Sequence, residues 1–134
     1  MARAQAMKLI YEWEMGGDGG EETRLNLLEV SPNEEEADYM NRMFEGVVAN
    51  VDAIDGKLTP FLKGWTLDRV TRVDLAILRL GAHELMLGEE PTGVVINEAV
   101  ELANHYSTDK AGGFINGVLG NLGRALESAP SAED

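Results

Sequence analysis

Histidine beside glutamate is how zinc-dependent hydrolases begin their ligand set, and His83-Glu84 offers that pair once in this chain. A second histidine four residues on would put two ligands on one helical face, but that position is Leu87. His105 is the one other histidine, and no cysteine is present to supply a thiolate, so no metal site is expected. The same absence removes cysteine nucleophiles and disulfides. Ser31, Ser107, Ser128 and Ser131 lie at helix caps or in the C-terminal tail, and none sits in a Gly-x-Ser-x-Gly elbow. Carboxylates abound, but in runs such as Glu34-Glu35-Glu36 that suit solvated faces. A general acid needs a carboxyl in an apolar pocket, and none is singled out. Neither catalysis nor a cofactor is expected.

Binding chemistry remains. Tyr11 and Phe114 are aromatic, and Arg3, Lys8 and Lys110 are cations that could lie near them. Aromatic faces beside cations suit single-stranded RNA, whose bases stack while its phosphates meet Lys or Arg. Core packing competes with this reading: Tyr11 follows Ile10, Phe114 lies one turn before Val118, and spacing alone favours the core for both. Asn97, Glu98 and Asn116 interrupt apolar helical patterns (Ile96, Val100, Ala103; Ile115, Val118, Leu119, Leu122). They are either solvated edge residues or members of a hydrogen-bonded network between helices.

The elements that must position these residues are all helical. A first helix is predicted over 2–15 and is stopped by the glycines of 16–20. That run follows a helix and lacks a Lys-Ser/Thr ending, so it reads as a loop rather than a phosphate cradle. A short helix over 25–30 precedes Ser31-Pro32-Asn33-Glu34, a capping box. Apolar residues from Met40 to Phe61 keep helical spacing, with a break expected near 50–52 and Pro60 kinking or ending the second part. Trp65-Thr66-Leu67 makes a turn, and Thr66 or Thr71 caps a helix over 73–87 that is apolar on nearly every side, hence central. Gly88 to Gly93, with Pro91, breaks it. Helices over about 94–106 and from Thr108 or Asp109 through Leu126 follow, and 129–134 is a polar tail. Residues 1–128 are read as one domain.

Net charge is −13, from 11 basic and 24 acidic residues, a field that repels phosphate backbones taken as a whole. Nine acids fall between Glu12 and Glu36, whereas Lys57, Lys63, Arg69, Arg72 and Arg79 concentrate base in the middle of the chain. No apolar run approaches the roughly 18 residues of a membrane helix, and Arg3, Lys8 and Glu12 interrupt any signal-like start. No membrane association and a cytoplasmic location are expected.

Three words in order carry a family resemblance: Leu75-Ala-Ile-Leu-Arg79-Leu-Gly-Ala-His-Glu84-Leu, then Val95-Ile-Asn97-Glu98-Ala-Val-Glu-Leu-Ala103 after Pro91, then Phe114-Ile-Asn116-Gly-Val-Leu119. They resemble the central and C-terminal helices of the NusB family of bacterial transcription antitermination factors. Ala6-Met-Lys-Leu-Ile-Tyr11 and Phe44-Glu-Gly-Val-Val are similar more loosely. The resemblance implies an all-α fold of about seven helices in two packed bundles. It implies pairing with NusE, a small-subunit ribosomal protein, and binding of single-stranded boxA RNA in ribosomal-operon transcripts, so that RNA polymerase passes terminators within an antitermination complex. Arg3, Lys8, Tyr11, Lys110, Phe114 and Asn116 would then lie on the RNA face. Asp74, Arg79 and Glu84 would lie near the partner surface, although Arg79 and Glu84 also read as a semi-buried polar pair anchoring helices.

The family opens with an arginine-rich stretch that grips phosphates, whereas Met1-Ala2-Arg3-Ala4-Gln5 keeps Arg3 alone. Each lost phosphate contact removes roughly one unit of salt slope. Either the partner supplies most of the basic surface, or the start of the chain is truncated. Two alternatives remain: a NusB-fold interaction module or homodimer with weak or lost RNA binding, and a relative of the NusB-like domain of ribosomal RNA cytosine methyltransferases. The missing cysteine and the missing Gly-rich cofactor turn argue against methyl transfer by this chain.

Overall fold

A computed structural model describes residues 2–16 and 34–128. Within them the chain forms six α-helices: α1 (Ala2–Glu14), α2 (Glu34–Ala49), α3 (Val51–Leu58), α4 (Arg72–Leu87), α5 (Thr92–Tyr106) and α6 (Ala111–Ser128). Two 3-10 turns, Thr59–Phe61 and Leu67–Arg69, link α3 to α4. The helix expected over 25–30, the Ser31 capping box, most of the glycine run and the tail lie outside the described residues.

The breaks follow local chemistry. Asn50 separates α2 from α3, its side-chain amide donating to the Gly46 carbonyl at 2.8 Å. Pro60 falls in the 3-10 turn that ends α3, where its missing N–H costs nothing. Of the two candidate caps it is Thr71 that starts α4, its Oγ1 accepting from the Asp74 N–H at 3.3 Å. Gly88 closes α4 in the left-handed region (φ 67°), a conformation glycine enters without a Cβ penalty. The next helix begins two residues before the expected Val94, because Pro91 presets the backbone and its carbonyl accepts from Val94 and Val95.

Helix α4 packs against each of the other five, and 74–78 and 80–85 are buried along it. α1 lies on α2 and α5 on α6, but α4 belongs to both groups, so the core is continuous: Leu9, Ile10, Met40, Ile54, Leu58, Ile77, Leu78, Ile115 and Leu119 share one apolar cluster. Close approach of α4 to α6 depends on Gly81, where an added Cβ would stand 2.7 Å from Leu119 Cδ1. Among the described residues no helix is long and apolar enough to cross a membrane.

Candidate functional site

Three polar residues of the central helix are spaced five apart. At about 100° per residue each step of five turns about 140°, so Asp74, Arg79 and Glu84 leave α4 in three different directions. Each meets a different partner. Asp74, buried, accepts from Ser107 Oγ at 2.6 Å just past the end of α5. Arg79 grips Asp55 of α3 with both arms, Nε to Oδ1 at 2.9 Å and Nη2 to Oδ2 at 2.8 Å, and donates from Nη1 to Glu14 of α1 at 3.1 Å. Glu84 takes a two-pronged bond from Arg3, at 3.1 and 3.0 Å, and the Tyr39 hydroxyl at 2.7 Å. Arg79 and Glu84 thus anchor helices as the sequence suggested, each tying α4 to a different end of α1 rather than bonding to the other.

Electrostatics sharpen these clusters. One guanidinium serves two carboxylates at Arg79. Asp55 takes both arms, while the Glu14 side chain has no exposed surface and its Oε2 has no hydrogen-bond partner among the described residues. Burial raises the Glu14 carboxyl to about 7, with Arg79 opposing the shift. At the other end Arg3 also pairs with Glu90 and lies 5.5 Å from the Tyr39 ring centre. Burial and the Glu84 charge push the Tyr39 hydroxyl upward. His83 is buried against Gly46, and desolvation shifts its imidazole downward.

The candidate binding residues divide. Lys8 is exposed, with its ammonium 5.2 Å from the ring centre of Tyr106, and Tyr11 is half-buried on the core. Ser107, next to Tyr106, holds Asp74. Asp74 in turn lines a hollow of about 230 Å³ with Trp65, Arg69, Lys110 and Phe114. A second hollow of about 190 Å³ shares Trp65 and Phe114 and adds Lys63. Lys8, Asp74, Lys110 and Phe114 are thus linked through shared neighbours. Asn116 is not among them: two residues beyond Phe114, it is turned about 200° around α6 and lines the groove shared with Asn97 and Asn104. No hydrogen bond joins Asn97, Glu98 and Asn116 among the described residues, and Asn97 and Asn116 are exposed, so the solvated-edge reading holds for them. Arg3 is held inward by its acids rather than presented outward.

Sequence reasoning missed Trp65 and Tyr106. Trp65 entered as a turn residue, yet it is 55% exposed, which a large aromatic seldom is. Lys63-Gly64 immediately before it was the available signal, since both residues take positive φ (52° and 90°) and turn the chain sharply at the surface. Among the described residues no group of three His, Asp or Glu side chains is arranged to hold a metal ion.

The family model for the NusB family matches residues 1–124. The transcription antitermination protein NusB of Acetivibrio thermocellus is 46% identical over 123 residues, covering 90% of this chain and 85% of that protein. The NusB of Clostridium botulinum (strain Loch Maree / Type A3) is 38% identical over 135 residues, at 90% and 96% coverage. Two solved structures share the fold at 31% identity. One, described as a plectonemic RNA supercoil, aligns with a TM-score of 0.88 over 96% of both chains. The other, antitermination factors NusB and NusE in complex with dsRNA, aligns with a TM-score of 0.82 over 92% of this chain and 94% of that one. The family is one of antitermination proteins rather than enzymes, and this chain belongs to the NusB family.

Proposed function

We propose that this protein is a cytoplasmic antitermination factor that pairs with NusE and, with it, binds single-stranded boxA RNA of ribosomal-operon transcripts, helping RNA polymerase pass terminators. The observation that carries the reading is the surface around Phe114. In a chain of net charge −13, Lys110, Arg69 and Lys63 gather beside exposed or half-buried aromatic rings. None of the three cations is in an ion pair among the described residues, while Arg3, Arg42 and Arg79 are each neutralised by carboxylates. Unneutralised cations beside aromatic faces are what a single strand requires. A relative of the same fold, with NusE, has been seen in complex with double-stranded RNA, which supports RNA as the class of ligand. The family's division into seven helices and two bundles goes with this reading, as does the single domain over 1–128.

Lys8 and Tyr11 extend the face along α1, and Asp74, whose Ser107 bond ties α4 to the end of α5, lies where RNA and partner surfaces would meet. Arg79 and Glu84 act from beneath by holding α1. Capture of Arg3 by Glu84 and Glu90 favours a second reading, an interaction module with weak RNA binding of its own. Fluorescence anisotropy of a labelled boxA-type strand, with and without NusE and at two salt concentrations, separates the two. Tight, salt-sensitive binding that needs NusE supports the antitermination role. No binding in either condition rejects it in favour of the interaction module.

A further inference from the structure

Trp65 is the largest exposed ring on the described surface, and no packing role accounts for it. Its backbone N–H donates to the carbonyl of fully buried Leu62 at 3.1 Å, closing a turn whose two inner residues, Lys63 and Gly64, both have positive φ. Lys63 is the one non-glycine residue in that region among those described, a conformation that costs about 1–2 kcal/mol. The turn is thus anchored in the core and holds the indole outward. Trp65 and Phe114 form walls common to both hollows, and Lys63, Arg69 and Lys110 rim them. Asp74 reaches the larger hollow, but its Oδ1 is taken by Ser107.

We propose that Trp65 is a base-stacking residue, and that the hollow it forms with Phe114 takes an unpaired base of single-stranded RNA while Lys63, Arg69 and Lys110 take the flanking phosphates. This rests on the RNA-binding reading above and extends the RNA path from α6 across the link between α3 and α4. Charge selects the occupant. An anionic strand complements three cations that make no ion pair among the described residues, on a protein whose overall charge would otherwise repel it. An indole face stacks any base, so the contact adds affinity with little sequence preference.

The test uses the full chain with NusE and a labelled boxA-type strand. Trp65→Ala is expected to weaken RNA binding roughly 5- to 150-fold, with Trp65→Phe recovering most of it. Lys63→Gln and Arg69→Gln should each flatten the salt dependence by about 0.7 of a log unit. RNA should quench tryptophan emission in the native protein and much less in Trp65→Phe, which retains Trp13. Unchanged RNA affinity and salt slope in Trp65→Ala, while the native complex still binds, would overturn the proposal and leave the RNA reading standing. A loss confined to NusE affinity would also overturn it and give the indole to the protein partner. Failure of the native complex to bind RNA at all overturns both readings.

Discussion

Replacing Glu14 with glutamine tests whether a guanidinium shared with Asp55 can offset the burial of the Glu14 carboxyl. The Arg79 guanidinium meets Asp55 with two bonds and Glu14 with one, and the second Glu14 oxygen has neither solvent nor a partner. Burial therefore moves the Glu14 carboxyl from its ordinary 4.5 to about 7. A raised acid binds its proton more tightly in the folded protein than in the unfolded one. The stability this gives is complete below about 4.5 and is lost as pH rises through about 7, at roughly 1.4 kcal/mol per pH unit inside that window. The shift corresponds to about 3 kcal/mol, of which about 2 kcal/mol disappears between pH 5.5 and pH 8. Glutamine keeps an oxygen for Arg79 and carries no charge. Glu14→Gln should therefore be about 3 kcal/mol more stable than the native protein at pH 8, and only about 1 kcal/mol more stable at pH 5.5. Urea unfolding at the two pH values, read by circular dichroism, measures the difference directly. Parallel pH dependences in the two proteins, or a variant less stable than the native chain at pH 8, would refute the account and show that Glu14 is ionised at little cost.

Other positions give sharper single readings. Glu84→Ala leaves Arg3 and the Tyr39 hydroxyl without their acceptor and should lose roughly 1.5–3 kcal/mol of stability, measured by thermal or urea unfolding. Gly81→Ala sets a methyl 2.7 Å from Leu119 Cδ1, so an overpacking cost of about 1–3 kcal/mol should outweigh the helix propensity gained; a rise in Tm would show that α4 and α6 can separate freely. Lys110→Glu should weaken boxA binding in anisotropy and reduce its salt slope while unfolding remains unchanged, since the side chain is exposed and makes no ion pair among the described residues.

Local chemistry made the helices legible. Thr71, Gly88, Pro60, Pro91 and Asn50 each act within a few residues of themselves, through a cap, a left-handed turn or a missing N–H, and a single strand of text contains such effects whole. The centrality of α4 was also visible, because a helix apolar on every side has nowhere else to go. The polar ties were not. Arg3 finds Glu84 across 81 residues and Arg79 finds Glu14 across 65, distances at which no spacing rule operates. Arg79 and Glu84 could be read as helix anchors, but which helix each one ties was not in the spacing. Trp65 was overlooked because a turn residue is ordinarily small or polar. Phe114 was singled out by its aromatic ring and its family word, although its spacing from Val118 is what a core residue would also show.

Arg3 and Glu14 stand eleven residues apart on α1, which is three helical turns with about 20° to spare, so both leave the same side of the helix. That side is also the one carrying Met7 and Ile10 into the core. The first helix is thus a beam pinned at two points along one edge, at Glu84 and at Arg79, and it can neither roll nor slide without releasing both pins. Lys8 leaves the helix about 140° around from Arg3, so the pins set where its backbone stands and the Tyr106 ring, 5.2 Å from its ammonium, sets where the side chain lies. On the proposed function, a strand arriving there would meet a cation on a backbone already fixed, with less ordering left to do, and affinity gained in this way would be a property of the interior. Loosening either pin would let that face of α1 shift, and on the proposed function it would weaken binding from a distance with every exposed residue of the face left intact.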